Sequence, residues 1–392
     1  MDSKRKRALV LGGNSGIGLA ITEKLLGKGY EHVYIVGKDE YRDDNIQNSD
    51  IEEFKKHTSF LKINLILEDY SIFDSISDID TLIITAGFGR VAAFENLNES
   101  EITNLIKCNM LAPIRVIKHY YDRIKSNDDF YCMVMGSIAG HVVSPLFSVY
   151  GASKQGLCGF IENINTELAH DGFKNRILDV SPGSIKGTNF NGQGNNLSLV
   201  YDLADEILDN MFLRKTVYIP KYDEIYKSVI DRYRKDPEKY GIESYDYKIS
   251  TRGESSKPQI VIGYLSGTFD LFHIGHLNLL KRAKAMCDYL IVGVHKSGAW
   301  KGKETFIPFE ERTEIVRNIK YVDQVIESFP EDSMAYDALH YDKLFVGSDY
   351  KGTERFNRYE EYFSDKGVEI VYFPYTQGTS STKLRDAITK KK

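Results

Sequence analysis

The sequence predicts an α/β protein made of two doubly wound parallel-sheet domains, the second smaller than the first. Three observations predict this class. Short continuous apolar runs alternate with helical segments, which is typical of parallel sheets covered on both faces. The runs form two series separated by a polar stretch. The chain has 392 residues, a length that corresponds to two domains of roughly 100–200 residues each.

The strand-like runs set the expected domain boundaries. The first series comprises residues 8–11, 33–36, 81–84, 133–135 and 177–180. The second series comprises residues 260–262, 290–294, 344–346 and 370–373. The polar stretch between them contains Asp-Pro and Gly-Glu-Ser-Ser-Lys-Pro, a composition typical of linkers. We therefore predict domains at 1–233 and 259–392, joined by a linker at 234–258.

Composition excludes several classes of function. The chain has 51 Lys+Arg against 56 Asp+Glu, and this balance argues against a nucleic-acid partner. Its apolar runs are far shorter than the ~20 residues that span a bilayer, so no membrane partner is expected. Met1 is followed by charges rather than a secretory signal, and the four cysteines are scattered. We expect a cytoplasmic protein that acts on small molecules and has no metal site formed by its own side chains.

A glycine-rich turn follows the first strand. It reads Gly-Gly-Asn-Ser-Gly-Ile-Gly at residues 12–18 and leads into an apolar helical segment. Glycines there allow a sharp turn and let a pyrophosphate approach the backbone at the positive end of the helix. Because many strand–helix turns contain glycine, the motif alone is a weak signal.

A tyrosine and a lysine four residues apart suggest acid–base chemistry. Tyr150 and Lys154 would share one face of a helix. An ammonium group beside a phenol favours the phenolate, so Lys154 is expected to lower the pKa of Tyr150. Ser137, thirteen residues before Tyr150, provides a hydroxyl that can hold a substrate carbonyl.

Six elements in this order and spacing resemble the short-chain dehydrogenase/reductases over roughly residues 5–230. They are Gly12-x3-Gly16-x-Gly18, Thr85-Ala86-Gly87, Asn109, Ser137, Tyr150-x3-Lys154 and Pro182-Gly183. The resemblance implies a Rossmann-type domain that reduces a carbonyl group with a nicotinamide cofactor. In that family Tyr150 donates the proton, Lys154 holds the nicotinamide ribose, Ser137 orients the carbonyl and Asn109 supports a proton-relay water. The implied cofactor site is Gly12, Asn14, Ser15, Gly16, Ile17, Gly18, Lys38, Asn64, Ala86, Gly87, Pro182 and Gly183.

Three details of this domain qualify the resemblance. Thr85 replaces an asparagine that is usual before Ala-Gly, which concerns support of the sheet more than chemistry. One additional residue precedes Thr188, so we assign Thr188 no carboxamide contact. Lys38 follows the second strand where NAD enzymes have an acidic residue, and it can pair with a 2′-phosphate. We therefore expect NADPH rather than NADH; the alternative is that Lys38 only faces solvent.

A second constellation opens the smaller domain. The strand at 260–264 leads into Gly-Thr-Phe-Asp-Leu-Phe-His-Ile-Gly-His at residues 267–276, followed by a helix. His273 and His276 are three residues apart, so both can face one anion at the helix N-terminus. Gly275 lets a phosphate approach the backbone. A zinc site is the rival interpretation, but no further Cys or His has a suitable spacing.

This stretch resembles the HxGH nucleotidyltransferases, and most closely the glycerol-3-phosphate cytidylyltransferases, over residues 259–388. The resemblance implies a Rossmann-like fold in which an acceptor phosphate attacks the α-phosphorus of CTP, pyrophosphate leaves, and Mg2+ accompanies the triphosphate. The implied catalytic residues are His273, His276, Lys301 and Lys303. The implied CTP site is Gly267, Thr268, Phe269, Asp270, His273, Gly275, His276, Lys303, Arg312, Asp349, Ser380, Ser381 and Thr382, with Asp270 organising the loop.

This domain also departs from its relatives. Tyr375 occupies the place of a usual arginine, and the stretch at 295–297 replaces a usual acidic residue. Both changes leave the acceptor open, so glycerol 3-phosphate is not assumed.

The fusion predicts consecutive steps. Our first hypothesis is NADPH-dependent reduction of a ketose phosphate, with ribulose 5-phosphate giving ribitol 5-phosphate, followed by coupling of the alditol phosphate to CMP. The CDP-alditol would supply capsule or teichoic-acid-type polymers. Alternatives are cytidylyl transfer first with reduction of a CDP-ketose, or another alditol such as arabinitol, mannitol or glycerol. An alternative function of another class is that the first domain senses the nicotinamide redox state and regulates the transferase.

We expect the chain to form a homodimer or a higher homo-oligomer.

Overall fold

A computed structural model describes residues 6–38, 40–46, 50–67, 70–97, 99–188, 190, 194–252, 261–297, 305–374 and 384–385. The chain divides into two compact units, Met1–Ser256 and Lys257–Lys392. Each unit contains one parallel sheet with flanking helices, which confirms the predicted α/β class. Among the described helices, none combines the length and the apolar character needed to cross a membrane.

The first unit has a seven-stranded parallel sheet. Its strands are β1 (Arg7–Leu11), β2 (His32–Gly37), β3 (Thr58–Lys62), β4 (Thr81–Ile84), β5 (Tyr131–Met135), β6 (Ile177–Val180) and β7 (Val217–Tyr218). Their order across the sheet is β3-β2-β1-β4-β5-β6-β7. The chain moves outward from β1 in one direction and then in the other. The crevice at the carboxyl ends of β1 and β4 is therefore the expected place for a ligand.

Helices cover both faces of this sheet. They are α1 (Gly16–Gly27), α2 (Ile51–Lys56), α3 (Glu99–Ile106), α4 (Ala112–His119), α5 (Tyr121–Ile124), α6 (Ser148–His170), α7 (Tyr201–Phe212), α8 (Lys227–Lys235) and α9 (Pro237–Arg252). A π-helical turn, Lys107–Leu111, joins α3 to α4. Side chains of β1 alternate between two apolar cores, with Val10 in the core under α1 and α7 and Leu9 in the core under α4 and α6. This alternation explains the uninterrupted apolar run in β1.

The segment predicted as a linker differs from expectation, because most of it is helix α9. Lys248 on α9 is 9% exposed, and its Nζ donates to Ser144 Oγ (2.9 Å) and to the Pro145 carbonyl (2.8 Å). The ammonium group also lies 5.6 Å from the centroid of the Phe147 ring. These contacts fasten α9 to the first unit. The polar composition that suggested a linker belongs to a mostly solvent-facing helix.

The second unit has a five-stranded parallel sheet. Its strands are β8 (Ile262–Gly267), β9 (Tyr289–Val294), β10 (Gln324–Glu327), β11 (Lys343–Gly347) and β12 (Glu369–Phe373), in the order β10-β9-β8-β11-β12. Its helices are α10 (Ile274–Lys284), α11 (Phe309–Arg317), α12 (Asp332–Leu339) and α13 (Glu354–Phe363). The aromatic residues Tyr264, Tyr341 and Phe363 pack in one buried cluster. Because β8 is central, the loop that follows it lies where the direction of winding changes.

We expect Lys248→Met to loosen α9. The change leaves the Pro145 carbonyl without its lysine donor, and losing a buried hydrogen bond of this kind costs about 1–3 kcal/mol. Amide hydrogen exchange in the α9 peptides of the full chain should therefore become roughly tenfold to hundredfold faster. The control is Lys239→Met, an exposed lysine of the same helix. Equal exchange in the two variants would contradict the proposed fastening.

Candidate active sites

The turn between β1 and α1 has no room for side chains at two of its glycines. Gly12 has φ +83°, and a Cβ built on it would lie 2.7 Å from the Ala86 amide nitrogen. A Cβ on Gly18 would lie 2.2 Å from the Gly12 carbonyl oxygen. Thr85 Oγ1 donates to the Leu11 carbonyl (2.9 Å), so the segment after β4 is tied to the same turn. The structure therefore builds a close-packed backbone cradle at the N-terminus of α1.

The other predicted cofactor residues lie at the carboxyl edge of the same sheet. Lys38 is exposed directly after β2, and a Cβ on Gly37 would lie 2.8 Å from the Asn14 side chain. Asn64 follows β3, and its Oδ1 accepts from the Ile66 amide (3.2 Å). The remaining residues are in the α1 turn (Ser15, Gly16, Ile17), after β4 (Ala86, Gly87) and after β6 (Pro182, Gly183). A helix N-terminus, a cradle without Cβ atoms and an exposed lysine fit the phosphates of a dinucleotide.

Three predicted catalytic side chains meet at the end of β5. Ser137 begins the short turn after β5, while Tyr150 and Lys154 lie on α6. A side-chain hydrogen bond joins Ser137 to Tyr150. Lys154 Nζ donates to the Met135 carbonyl (2.7 Å) and lies 5.8 Å from the centroid of the Tyr150 ring. The i, i+4 spacing on α6 brings the two residues together, as the sequence predicted.

Asn109 lies in the π-helical turn and is fully buried. Its Oδ1 accepts from the Phe88 amide (3.0 Å) and its Nδ2 donates to the Phe88 carbonyl (2.8 Å). The side chain thus fastens the segment after β4 to the catalytic region. A Cβ on Gly87 would lie 3.1 Å from Asn109 Oδ1 and 3.5 Å from Lys154 Nζ, so these groups enclose one small space. π-Helical turns often occur at functional sites, and this one places Asn109 beside Lys154.

Burial, rather than Lys154, controls the pKa of Tyr150. Burial raises the pKa of Tyr150, and the hydrogen bond from Ser137 offsets this only in part. Burial also lowers the pKa of the Lys154 ammonium to about 8. The expected lowering of the tyrosine pKa by Lys154 is therefore wrong for this structure. Both groups are removed from water, and desolvation disfavours the charged form of each.

The sequence analysis missed the walls around Tyr150. The Phe147 ring lies 5.4 Å and the Phe190 ring 5.5 Å from the Tyr150 ring, measured between centroids. Leu146, just before α6, has φ +66°, which is unusual for a leucine. The i−3 spacing from Tyr150 could have indicated Phe147. No local signal indicates Phe190, which comes from a distant segment.

In the second unit, the loop between β8 and α10 contains strained backbone. Phe269 has φ +53° and Leu271 has φ +49°, values that side-chain-bearing residues rarely adopt. Strain of this kind is concentrated at functional sites. Gly267 ends β8, and Thr268 follows it. The first four residues of the predicted CTP site, 267–270, therefore all lie in or next to this loop.

The two predicted histidines stack at the start of α10. Their ring centroids are 4.0 Å apart with an interplanar angle of 27°. His273 Nδ1 accepts from the Gly275 amide (3.0 Å), and the His273 amide donates to His276 Nδ1 (3.4 Å). Burial lowers the pKa of His273. The backbone bonds orient both rings at the positive end of a helix, an arrangement that suits a phosphate ligand.

Asp270 organises the loop. It is buried, and its carboxylate accepts from the amides of Phe306 (3.1 Å) and Ile307 (3.0 Å). It also pairs with Arg385 Nη2 at 2.5 Å. The sequence analysis missed Arg385, which lies five residues after Ser380 and whose distant partner no local pattern reveals.

Arg312 is held by backbone carbonyls. It is 0% exposed, and its guanidinium donates to carbonyls of Ile307 (2.9 Å), His295 (2.8 Å), Lys296 (3.0 Å) and Thr268. These bonds tie the loops after β8 and β9 to α11. Arg312 therefore holds the walls of the site, and its contact with a nucleotide stays a prediction. Asp349 is exposed after β11. The predicted residues Lys301, Lys303, Ser380, Ser381 and Thr382 lie outside the described residues.

Comparisons with known proteins match both units. A short chain dehydrogenase family model matches residues 6–196, and a cytidylyltransferase-like model matches residues 264–387. A glycerol-3-phosphate cytidylyltransferase of Bacillus subtilis is 36% identical over 126 residues, which are 31% of this chain and 92% of that protein. A 3-oxoacyl-(acyl-carrier-protein) reductase of Buchnera aphidicola is 29% identical over 201 residues, which are 50% of this chain and 80% of that protein.

A solved structure shows the fold of the first unit. It is a short-chain dehydrogenase/reductase from Burkholderia phymatum in complex with NAD, with a TM-score of 0.50 and 14% identity. The match covers 61% of this chain and 96% of that chain.

Together these findings define an enzyme with two activities, an oxidoreductase in the first unit and a nucleotidyltransferase in the second. The chain belongs to the cytidylyltransferase family that includes glycerol-3-phosphate cytidylyltransferase. Ahead of that unit it carries a short-chain dehydrogenase/reductase domain.

We expect the affinity for NADPH to fall as pH rises through 8. The Lys154 ammonium has a pKa lowered to about 8, so it is mostly charged at pH 7 and mostly neutral at pH 9. Only the charged form attracts the anionic cofactor. Tyr150, with its raised pKa, stays protonated over this range. Calorimetric titration at several pH values should show the weakening in the native chain. In Lys154→Arg, whose guanidinium stays charged, the weakening should be absent. The same pH dependence in both proteins would show that the Lys154 ammonium is not the group responsible for the weakening.

Proposed function

We propose that the chain makes a CDP-alditol by two steps, reduction of a ketose phosphate with NADPH and cytidylyl transfer from CTP to the alditol phosphate. The observation that carries this proposal is the fusion itself. The second unit is similar to an enzyme that is named for glycerol 3-phosphate, a small polyol phosphate. Reduction of a ketose phosphate yields a product of that same chemical class. The reductase would therefore prepare the acceptor for the transferase.

In the reductase step, Tyr150 donates its proton to the carbonyl oxygen. The raised pKa keeps the Tyr150 hydroxyl protonated at neutral pH, so the proton is present, but it also makes Tyr150 a weaker acid. The support for this role is the position of Tyr150 beside Ser137 and Lys154. Ser137, hydrogen-bonded to Tyr150, holds the carbonyl beside it. The nicotinamide supplies the hydride. Lys38 at the end of β2 favours NADPH by pairing with the 2′-phosphate.

In the transfer step, the phosphate of the acceptor attacks the α-phosphorus of CTP and pyrophosphate leaves. His273 and His276 stabilise the charge that develops on the phosphates, assisted by the N-terminus of α10. Lys301 and Lys303 would draw in the acceptor and the triphosphate, and Mg2+ would accompany CTP. Arg312 acts indirectly, because it ties the loops of the site together. No covalent intermediate is required.

Ribulose 5-phosphate is our first choice of substrate, giving ribitol 5-phosphate and then CDP-ribitol for capsule or teichoic-acid-type polymers. This choice rests on the logic of the fused steps rather than on the residues of the pocket. A homodimer or a higher homo-oligomer is the expected assembly. The sensor alternative is disfavoured, because a sensor has no need of a proton donor such as Tyr150.

A panel of ketose phosphates tests the substrate and the order of steps. We expect the full chain to oxidise NADPH with one ketose phosphate in the absence of CTP. A CDP-alditol, identified by mass, should appear only when CTP is added. NADPH oxidation that requires CTP would overturn the proposed order, because the reductase would then act on a CDP-ketose. No oxidation with any member of the panel under either condition would contradict a ketose phosphate substrate.

Two substitutions should separate the activities. Tyr150→Phe removes the proton donor and should lower NADPH oxidation by about 10²–10⁴-fold, while pyrophosphate release from CTP persists. His276→Ala should abolish pyrophosphate release while NADPH oxidation persists. The activity that persists in each variant shows that the loss is confined to the substituted unit, and circular dichroism and the unfolding temperature of each variant show whether that unit is folded.

Matched controls are Tyr247→Phe, at an exposed tyrosine, and His340→Asn, at an exposed histidine whose φ of +48° asparagine tolerates. Both controls should keep both activities. An unchanged reduction rate in Tyr150→Phe would refute the proton-donor role, and persisting pyrophosphate release in His276→Ala would refute the role of the histidine pair.

A further inference from the structure

A buried carboxylate lies beneath the reductase site and has no role in the steps above. Asp179 on β6 is 2% exposed. A Cβ built on Gly136 would lie 2.1 Å from Asp179 Oδ1, so the carboxylate is packed directly against the backbone that precedes Ser137. Burying a carboxylate is costly unless hydrogen bonds or opposite charges compensate. The groups that form hydrogen bonds with Asp179, or that carry an opposite charge near it, therefore indicate the role of this carboxylate.

One compensating bond leads to Ser137. Ser181 Oγ donates to Asp179 Oδ1 (2.8 Å) and accepts from the Ser137 amide (3.2 Å). The Ser181 hydroxyl has a single proton. Because that proton goes to Asp179, the oxygen lone pairs face the Ser137 amide. The Ile138 amide donates in addition to the Pro182 carbonyl (2.9 Å), so the end of β6 holds the backbone of the Ser137 turn at two points.

Opposite charge is the other compensating factor. The groups that face Asp179 are Lys154 and Cys158 from α6 and His141 from the turn after β5. His141 Nε2 lies 3.4 Å from Asp179 Oδ2. Cys158 is neutral at physiological pH, because burial raises its pKa to about 12. Burial lowers the pKa of the nearby Lys154 ammonium, and Cys158, Cys108 and Asp179 offset this only in part.

A metal ion is the rival interpretation of this cluster. The ligand atoms of His141, Cys158 and Asp179 all lie within 4.8 Å of one another. However, the buried Lys154 ammonium acts on both Cys158 and Asp179, and a second cation would be repelled there. The Asp179 carboxylate already accepts a hydrogen bond from Ser181. These observations favour a carboxylate that is stabilised by its hydrogen bond from Ser181.

We propose that Asp179 is a positioning residue of the reductase, which holds Ser137 in place through Ser181. This proposal rests on the reductase role proposed above for Ser137. Asp179 acts through a residue that touches the substrate rather than by touching the substrate itself.

Two variants break the link from Asp179 to Ser137, and one conservative variant keeps it. Asp179→Ala removes the acceptor of the Ser181 proton, and Ser181→Ala removes the hydroxyl that accepts from the Ser137 amide. We expect kcat for reduction to fall about tenfold in each variant, with the affinity for NADPH unchanged, because the substrate carbonyl is positioned less well. Asp179→Asn keeps an oxygen that accepts from Ser181 and should retain most of kcat.

The control is Asp171→Asn, a partly exposed carboxylate at the end of α6 that should change neither measurement. Unfolding temperatures of all variants identify effects that come only from destabilisation. An unchanged kcat in Ser181→Ala, or a kcat in Asp179→Asn as low as that in Asp179→Ala, would overturn the positioning role. The rates are compared on any carbonyl compound that the native chain reduces, so the test holds even if no ketose phosphate is a substrate.

Metal analysis completes the test. We expect the purified full chain to bind no stoichiometric Zn2+ at this cluster, and Co2+ to give no thiolate charge-transfer absorption. Stoichiometric Zn2+ that is lost in Cys158→Ser would overturn the positioning role of Asp179 in favour of a metal site.

Discussion

Both sites depend on one steric constraint, the close passage of backbone at the carboxyl end of a central parallel strand. In the first unit the constraint excludes a Cβ at Gly12 and Gly18. In the second, Phe269 and Leu271 adopt positive φ in the loop that follows β8. In each case the chain turns sharply from the central strand into a helix, so the positive end of that helix lies at the carboxyl edge of the sheet. This geometry suits a phosphate ligand before any side chain contributes.

Burial determines how the charged residues around these sites act. Lys154 and Arg312 are both removed from water, but their compensation differs. The Arg312 guanidinium donates to backbone carbonyls and therefore stabilises loops. Lys154 has one carbonyl partner and a nearby carboxylate, so its charge remains sensitive to pH and to bound anions. The first arrangement is suited to a structural role, and the second to chemistry at a cofactor.

Local sequence patterns predicted the parts of the sites that depend on local geometry. The spacing of Tyr150 and Lys154 places them on one helix face, and the spacing of His273 and His276 brings their rings together. Patterns could not predict properties that arise from distant contacts. The sign of the Tyr150 pKa shift depends on burial, and the pairing of Asp270 with Arg385 joins residues 115 positions apart. Helix α9 was missed for the same reason, since the partners of Lys248 lie about a hundred residues earlier.

The chemistry of the two proposed steps indicates which site sets their order. In cytidylyl transfer the nucleophile is the phosphate group of the acceptor. Reduction of the carbonyl leaves this phosphate unchanged, so the site of the histidine pair would bind the same nucleophile before and after reduction. The reductase acts on the carbonyl, and attaching CMP to the far end of the substrate greatly enlarges what its pocket must accept. Phe147 and Phe190 pack against Tyr150, and Lys248 holds the segment that precedes Phe147. The walls of the reductase pocket, more than the transferase, therefore decide whether reduction precedes transfer.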